Sequence, residues 1–173
     1  RTFFQCASLA EAGFEVVLVA PHDGDLSRDG VRLLAVPRYR SRLERVTLTA
    51  WRTVRRGLAA KARLYHIHDP ELIPWGLLLR LLGRPVIYDV HEDYAQAAGV
   101  RSWIPGPARG LLAGAYAAIA GLARRCFTVV IAERYYARTF PDAVEVLNYA
   151  KREEFAGLDG ILRAPPPAPR ALY

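Results

Sequence analysis

The hydrophobic positions of the chain alternate between a helical spacing and short continuous runs. Residues 2–12 have the apolar spacing of a helix, and Gly13 follows as its C-terminal end. Residues 14–20 then form a nearly continuous apolar run, which is typical of a strand buried on both faces. This alternation of helix and strand patterns continues as far as residue 147.

The rest of the pattern predicts the fold class. Further strands are predicted at residues 31–36, 64–67, 85–90, 127–132 and 144–147. Further helices are predicted at residues 42–63, 70–82, 110–123 and 133–140. Strands that alternate with crossover helices favour a mostly parallel sheet. We therefore expect an α/β domain over residues 1–162, with a Rossmann-like open parallel sheet and helices on both faces. The proline-rich residues 163–173 are predicted to be a stiff linker.

Charge and cysteine content narrow the class of protein. The chain has 173 residues and a net charge of +7, which favours anionic partners. Cys6 and Cys126 are its only cysteines, so neither a disulfide framework nor a cysteine zinc site is expected. Two cysteines far apart in sequence indicate a reducing, cytoplasmic environment. The longest apolar run, at residues 110–123, is shorter than the about 20 residues that a membrane span needs.

Two polar segments come directly after predicted strands, where parallel sheets bind their ligands. The first runs from Tyr65 to Glu71 and contains His66, His68, Asp69 and Glu71, and the second runs from Tyr88 to Tyr94 and contains Asp89, His91, Glu92 and Asp93. Imidazoles and carboxylates at one rim suit contacts to hydroxyls and phosphates, or proton transfer. The second segment is the stronger candidate, because a structural loop after a strand would more often use Gly, Ser or Asn. We expect His68 and His91 to lie side by side at this rim.

The first segment has structural interpretations as well. Asp69 followed by Pro70 has the pattern of a helix N-cap. Glu71 in the first turn can complement the helix dipole. The two-residue period of a strand places His66 and His68 on the same face, and one of them can be a hydrogen-bonded wall residue.

The sequence disfavours a metal site and a dinucleotide site. The His-x-His-Asp run at residues 66–69 resembles metallohydrolase ligand runs, but Pro70 follows and no further histidine comes close behind it. No Gly-x-Gly-x-x-Gly motif follows any predicted strand. We therefore assign no metal ligands and expect no cofactor.

The predicted helix at residues 42–63 is rich in arginine. Its polar side carries Arg45, Arg52, Arg56 and Arg63, and its apolar stripe consists of Leu43, Val46, Ala50, Val54 and Leu58. A solvated face is the favoured interpretation. The alternative is docking on an anionic membrane surface, with Tyr39 and Trp51 as interfacial aromatics. Nucleic acid is not an expected partner, because no nucleic-acid-binding motif accompanies the charge.

Several motifs together resemble those of a known family. They are residues 3–5, Leu9, residues 13–16, 66–74, 86–94, 103–105 and 146–149. With them the chain is similar to the N-terminal domain of the retaining glycosyltransferases that have the two-domain GT-B fold, of the subfamily-4-like type. The His-Asp-Pro-Glu-Leu and Asp-Val-His-Glu-Asp-Tyr segments are fairly specific in combination.

The resemblance implies a reaction and a set of site residues. A sugar would pass from a nucleotide-sugar, often a UDP- or GDP-sugar, to a glycan or lipid-linked acceptor with retention and without a metal. It implies that His91 lies at the reaction centre. The substrate-binding positions that it implies are His68, Asp69, Glu92, Asp93, Tyr94 and Trp103. Cell-envelope polysaccharide or glycolipid synthesis, at the cytoplasmic face of the membrane, is the implied setting.

The resemblance also implies a second domain that binds the nucleotide-sugar. The family's first strand and glycine-rich turn would precede Arg1, and the nucleotide-binding residues would follow Tyr173. We therefore expect an N-terminal half with little transferase activity of its own. Two alternatives stay open: a sugar-nucleotide epimerase of the same architecture, and a basic module that binds membranes or nucleic acid.

Overall fold

Helices and strands alternate in a computed structural model of the protein, which describes residues 2–92 and 106–147. The strands are β1 (Val16–Pro21), β2 (Leu26–Arg28), β3 (Val31–Val36), β4 (Tyr65–Ile67), β5 (Val86–Val90), β6 (Thr128–Ile131) and β7 (Val144–Glu145). The helices are α1 (Thr2–Glu11), α2 (the consecutive segments Arg42–Glu44, Arg45–Thr49 and Ala50–Ala59), α3 (Ile73–Leu81) and α4 (Gly106–Cys126). Short 3₁₀ turns cover Pro70–Leu72 and Arg134–Arg138.

The strands form two sheets. In the larger one, all four strands are parallel in the order β4-β5-β6-β7. In the smaller one, β3 lies between β1, its parallel partner, and β2, its antiparallel partner. The parallel strands and the helices between them confirm the predicted Rossmann-like α/β class.

The antiparallel strand β2 was not predicted. It contributes the single large apolar residue Leu26, so its hydrophobic pattern is weak. Asp29 and Gly30 form the two-residue loop to β3 with φ values of 50° and 74°. An Asp-Gly loop with both φ angles positive is typical of a type I′ hairpin, so this dipeptide was the available signal.

The main core lies on the larger sheet. Its buried members include Ile67, Tyr88, Val90, Val129 and Ile131 from the strands. Helix α3 packs closely on this core, because a Cβ atom added at Gly76 would lie 2.9 Å from Cζ of Phe127 and 3.0 Å from Cδ1 of Ile67. None of the helices within the described residues is long and apolar enough to cross a membrane.

Helix α2 differs from its prediction in two ways. It ends at Ala59, so Arg63 lies beyond it as an exposed residue. Its predicted apolar stripe is also not buried throughout, because Leu43 and Val46 are 72% and 46% exposed whereas Ala50 and Val54 are buried. The reason is the π-helical turn at Arg45–Thr49. One extra residue in a helix rotates the face that follows by about 100°.

Candidate functional site

Two adjacent parallel strands bring the histidines together. Tyr65 of β4 is in register with Val86 of β5, and Ile67 is in register with Tyr88. His66 lies in β4 and Asp89 in β5, and each is followed two residues later by a histidine, His68 or His91. Because side chains on a strand alternate between its faces, all four polar residues belong to one face of the sheet.

The carboxylate of Asp89 is the centre of this group, which we call the histidine cluster: His66, His68, Asp89 and His91. The Asp89 side chain is fully buried, with 0% of its surface exposed. Its Oδ2 atom lies 3.4 Å from Nε2 of His66, 3.6 Å from Nδ1 of His68 and 3.5 Å from Nε2 of His91. Gln5, on helix α1, donates a hydrogen bond of 3.2 Å from its Nε2 atom to the same oxygen.

The imidazole rings also contact one another. Nδ1 of His68 lies 2.7 Å from Nε2 of His91, so one of the two nitrogens donates a hydrogen bond to the other. The rings of His66 and His68 stack, with centroids 4.7 Å apart and planes inclined by 17°. The hydroxyl of Tyr136 donates a 2.8 Å hydrogen bond to the backbone oxygen of His91. The contacts position the His91 ring through both its side chain and its backbone.

The surroundings of Asp89 keep it ionised. Burial acts to raise the pKa of Asp89, but the contact from His66, the charge of His91, the hydrogen bond from Gln5 and the charge of His68 act against it. The net effect is a pKa below the usual value. A buried, ionised carboxylate fixes the orientation of imidazoles and stabilises their protonated forms. The cluster can therefore hold, accept or donate a proton at a hydroxyl-bearing ligand.

Asp69 and Glu71 form a second part of the site through Arg45 of helix α2. Arg45 donates from Nη2 to Oδ1 of Asp69 at 2.9 Å and from Nε to Oε1 of Glu71. Burial and the neighbouring charge of Glu71 raise the pKa of Asp69 more than the opposing charge of Arg45 lowers it. The two acids thus anchor helix α2 to the turn after β4.

The N-cap interpretation of Asp69 is only half right. Asp69 occupies the position before the Pro70–Leu72 turn with an extended backbone (φ −99°, ψ 140°). Within the described residues, however, its side chain makes no capping hydrogen bond. The oxygen that would cap the turn instead accepts from Arg45, a charge-assisted bond that is stronger than a bond to a backbone N–H.

Of the other predicted site residues, one lies within the described part of the chain and three lie outside it. Glu92 directly follows His91 and is partly buried. Asp93, Tyr94 and Trp103 lie outside the described residues, so their assignment to substrate binding stays a prediction. The boundary at residue 162 and the proline-rich segment also lie outside them.

The arginines of the predicted membrane face are engaged to different extents. Arg45 is bound to Asp69 and Glu71, as described above, and Arg56 is bound to Asp25. Arg52 is 4.0 Å from Glu44. The positive charge that α2 offers to an external surface is therefore smaller than its sequence suggests.

No site role was predicted for Asp89, His66 or Gln5, although His66 and Asp89 lie within the two polar segments. For Asp89 a signal was present, because a carboxylate inside an apolar strand, two residues before a histidine, shares that histidine's face. For Gln5 no local pattern was available, since helix α1 brings it to Asp89 across 84 residues of sequence.

A family model described as "Glycosyl transferase 4-like domain" matches residues 5–150, a range that contains every residue of the histidine cluster. No curated protein and no solved structure gives a significant match to the chain.

Proposed function

The chain belongs to the glycosyl transferase 4-like family, and on this premise we propose that it is the acceptor-side domain of an enzyme that uses a nucleotide-sugar donor. The sugar is transferred to a glycan or lipid-linked acceptor with retention of anomeric configuration. The donor is a UDP- or GDP-sugar, and its nucleotide is held mainly by a second domain.

The observation that carries this proposal is the contact between His68 and His91 over the buried carboxylate of Asp89. In open parallel sheets the carboxyl ends of the strands are where ligands bind. The buried carboxylate of Asp89 positions the His68 and His91 side chains. These side chains are 23% and 27% exposed, so a ligand can reach them from solvent. Such pre-positioned donors and acceptors suit sugar hydroxyls and the charge that develops during transfer.

Three members of the cluster, together with Gln5, have distinct roles in this proposal. His91 contacts the donor sugar at the reaction centre. Asp89 fixes the His91 ring and stabilises its protonated form, and Gln5 holds Asp89 in place. His68 holds the His91 ring through the hydrogen bond between its Nδ1 atom and Nε2 of His91. The transfer step is expected to proceed without a metal.

Acceptor recognition is assigned to the neighbouring residues. Asp69 forms part of the floor of the cleft, and Arg45 holds its carboxylate there. Glu92, Asp93, Tyr94 and Trp103 are proposed to line the acceptor side.

A lipid-linked acceptor would place the enzyme at the cytoplasmic face of a membrane. Helix α2 supports this, because Trp51 and Leu43 are 42% and 72% exposed on the same helix as Arg52. Exposed apolar and cationic side chains on one helix suit an anionic interface. Arg63, beyond the helix, adds a further exposed charge.

The experiment is a transfer assay on the complete gene product with panels of UDP- and GDP-sugars and of glycan and lipid-linked acceptors. Mass spectrometry identifies the glycosylated product, and NMR determines the anomeric configuration. Transfer with retention supports the proposal. Release of an epimerised nucleotide-sugar without transfer would favour the epimerase, and inversion would remove the proposed stereochemistry.

A second assay tests the proposed division between two domains. The 173-residue chain alone should turn over donor at a small fraction of the rate of a two-domain enzyme, because stabilisation of the leaving phosphate is assigned to the other domain. Robust turnover by this chain would show that the donor is bound within it.

A further inference from the structure

We propose that the histidine cluster is also a zinc site. The ligands are Nε2 of His66, Nδ1 of His68 and Oδ2 of Asp89, and Nε2 of His91 completes the coordination. The first three residues each offer a ligand atom within 4.8 Å of the ligand atoms of the other two.

The distances within the cluster fit a metal site better than a set of hydrogen bonds. The three imidazole nitrogens are 3.4 to 3.6 Å from Oδ2 of Asp89, which is longer than good N–H···O bonds. Ligand atoms at about 2.0–2.1 Å from a tetrahedral zinc ion are about 3.3 Å from one another. The three distances to Oδ2 of Asp89 are close to this spacing.

The contact between His68 and His91 has to widen when the ion binds. Nδ1 of His68 and Nε2 of His91 are 2.7 Å apart because they share a proton, and both need a free lone pair to bind zinc. Their separation must widen by roughly half an ångström to reach the tetrahedral spacing. The His91 side chain is 27% exposed, so protein atoms do not enclose it on every side.

Burial and charge favour an ion at this position. The Asp89 carboxylate is fully buried and supplies the negative charge, whereas the three imidazoles are 23% to 31% exposed and leave a path from solvent. Gln5 donates to the carboxylate, as outer partners of ligating residues do in metal sites. The cluster thus has an ionic centre, a supporting hydrogen bond and access.

The donor set determines which cation is bound. Three imidazoles and one carboxylate suit zinc and the neighbouring transition metals. Magnesium and calcium require oxygen ligands, of which this cluster offers one residue. We therefore expect zinc to bind and magnesium to have no effect.

The sequence pattern alone does not indicate this site, because its ligands are far apart along the chain. No further histidine follows the His-x-His-Asp run closely, and the remaining ligands are Asp89 in strand β5 and His91 directly after that strand, 23 residues from His68. In addition, Asp69, the carboxylate of that run, turns away to Arg45, and Asp89 supplies the oxygen in its place.

Zinc at this position has a consequence that rests on the proposed function. His91 cannot ligate zinc and contact the donor sugar at the same time, so zinc would inhibit a transfer reaction that itself needs no metal. Zinc binding does not depend on the proposed function, since it is measured without donor or acceptor.

The experiment is isothermal titration of the metal-stripped 173-residue chain with zinc chloride, and separately with magnesium chloride. One saturable zinc per chain is expected, with no magnesium binding. His66→Ala should weaken zinc binding at least about 100-fold, since loss of an outer partner already costs 10- to 100-fold. His22→Ala is the matched control, because His22 lies outside the cluster and its Nδ1 atom is 2.8 Å from the backbone oxygen of Gly24.

A second measurement does not depend on the variants. In ¹⁵N NMR spectra of the histidine rings, zinc should shift the signals of His66, His68 and His91 and leave His22 unchanged. Cys6→Ser and Cys126→Ser should keep full affinity. The proposal is overturned if no saturable zinc binding occurs, if His66→Ala binds as tightly as the parent, or if the cysteine variants lose the metal.

Discussion

The Nδ1 atom of His68 lies 2.7 Å from the Nε2 atom of His91, although 23 residues separate them in sequence. The contact arises because β4 and β5 are parallel neighbours and each strand ends one residue before its histidine. Each ring is further fixed by the same carboxylate of Asp89. The two imidazoles therefore form one unit whose protons are coupled, and a change in either affects the other.

Replacement of His91 tests its proposed place at the reaction centre. In the complete enzyme, His91→Ala should reduce kcat by at least about 100-fold, the lower range for a positioned proton-transfer group. The far-UV circular dichroism spectrum should be unchanged, because the side chain is partly exposed. His22→Ala serves as the control and should retain parental turnover. A kcat within twofold of the parent for His91→Ala would remove this residue from the mechanism.

The sequence predicted that His68 and His91 lie side by side, but not that the carboxylate of Asp89 contacts both of them. Strand patterns and the carboxyl-end rule were sufficient to place both histidines at one rim. The role of Asp89 depends on burial, which an apolar strand pattern does not reveal for its one charged residue. Arg45 is the first residue of the π turn in α2, and no propensity rule predicts that turn from these residues.

Gly76 should resist substitution because α3 lies so close to the sheet. Alanine at this position gains about 1 kcal/mol in helix propensity. Its Cβ would lie 2.9 Å from Cζ of the buried Phe127, and overpacking of this kind costs about 1–3 kcal/mol. Gly76→Ala should therefore lower the free energy of unfolding by roughly 1 kcal/mol in urea titrations.

Gly57 provides the matched control on another helix. A Cβ added there has its nearest neighbour, Cε1 of Tyr65, at 3.8 Å, an ordinary contact. Gly57→Ala should therefore raise the free energy of unfolding by about 0.5–1 kcal/mol. If both substitutions changed stability in the same direction, the close approach at Gly76 would not limit the residue there.

Replacement of threonine by valine should affect stability differently at Thr49 and at Thr47. Its side chain is buried, and its hydroxyl has no hydrogen-bond partner among the described residues. Thr49→Val removes this unpaired hydroxyl at constant shape and should raise the free energy of unfolding by about 1 kcal/mol. Thr47→Val, on the exposed side of the same π turn, loses the 2.7 Å bond to the Leu43 oxygen and should change stability by less than about 0.5 kcal/mol. A gain at Thr47 equal to that at Thr49 would contradict burial as the cause.

Arg45 should control the ionisation of Asp69. Burial and the charge of Glu71 already raise the pKa of Asp69, and Arg45 opposes both effects. Arg45→Gln removes the opposing charge, so the pKa of Asp69 should rise further in ¹³C NMR titrations of the carboxyl group. Arg52→Gln is the control, since Arg52 belongs to the same helix but has Glu44 as its acidic neighbour, at 4.0 Å.

The rise in the pKa of Asp69 in Arg45→Gln should also make the stability of this variant depend on pH. An acid whose pKa is higher in the folded state than in the unfolded state binds its proton more tightly when folded, so folding loses stability as pH rises from the unfolded pKa through the folded pKa. The stability deficit of Arg45→Gln should therefore be small below about pH 4 and grow toward neutrality, as measured by urea unfolding across this range. A deficit that is constant with pH, or an Asp69 pKa that falls, would mean that Arg45 anchors α2 by packing and not through its charge.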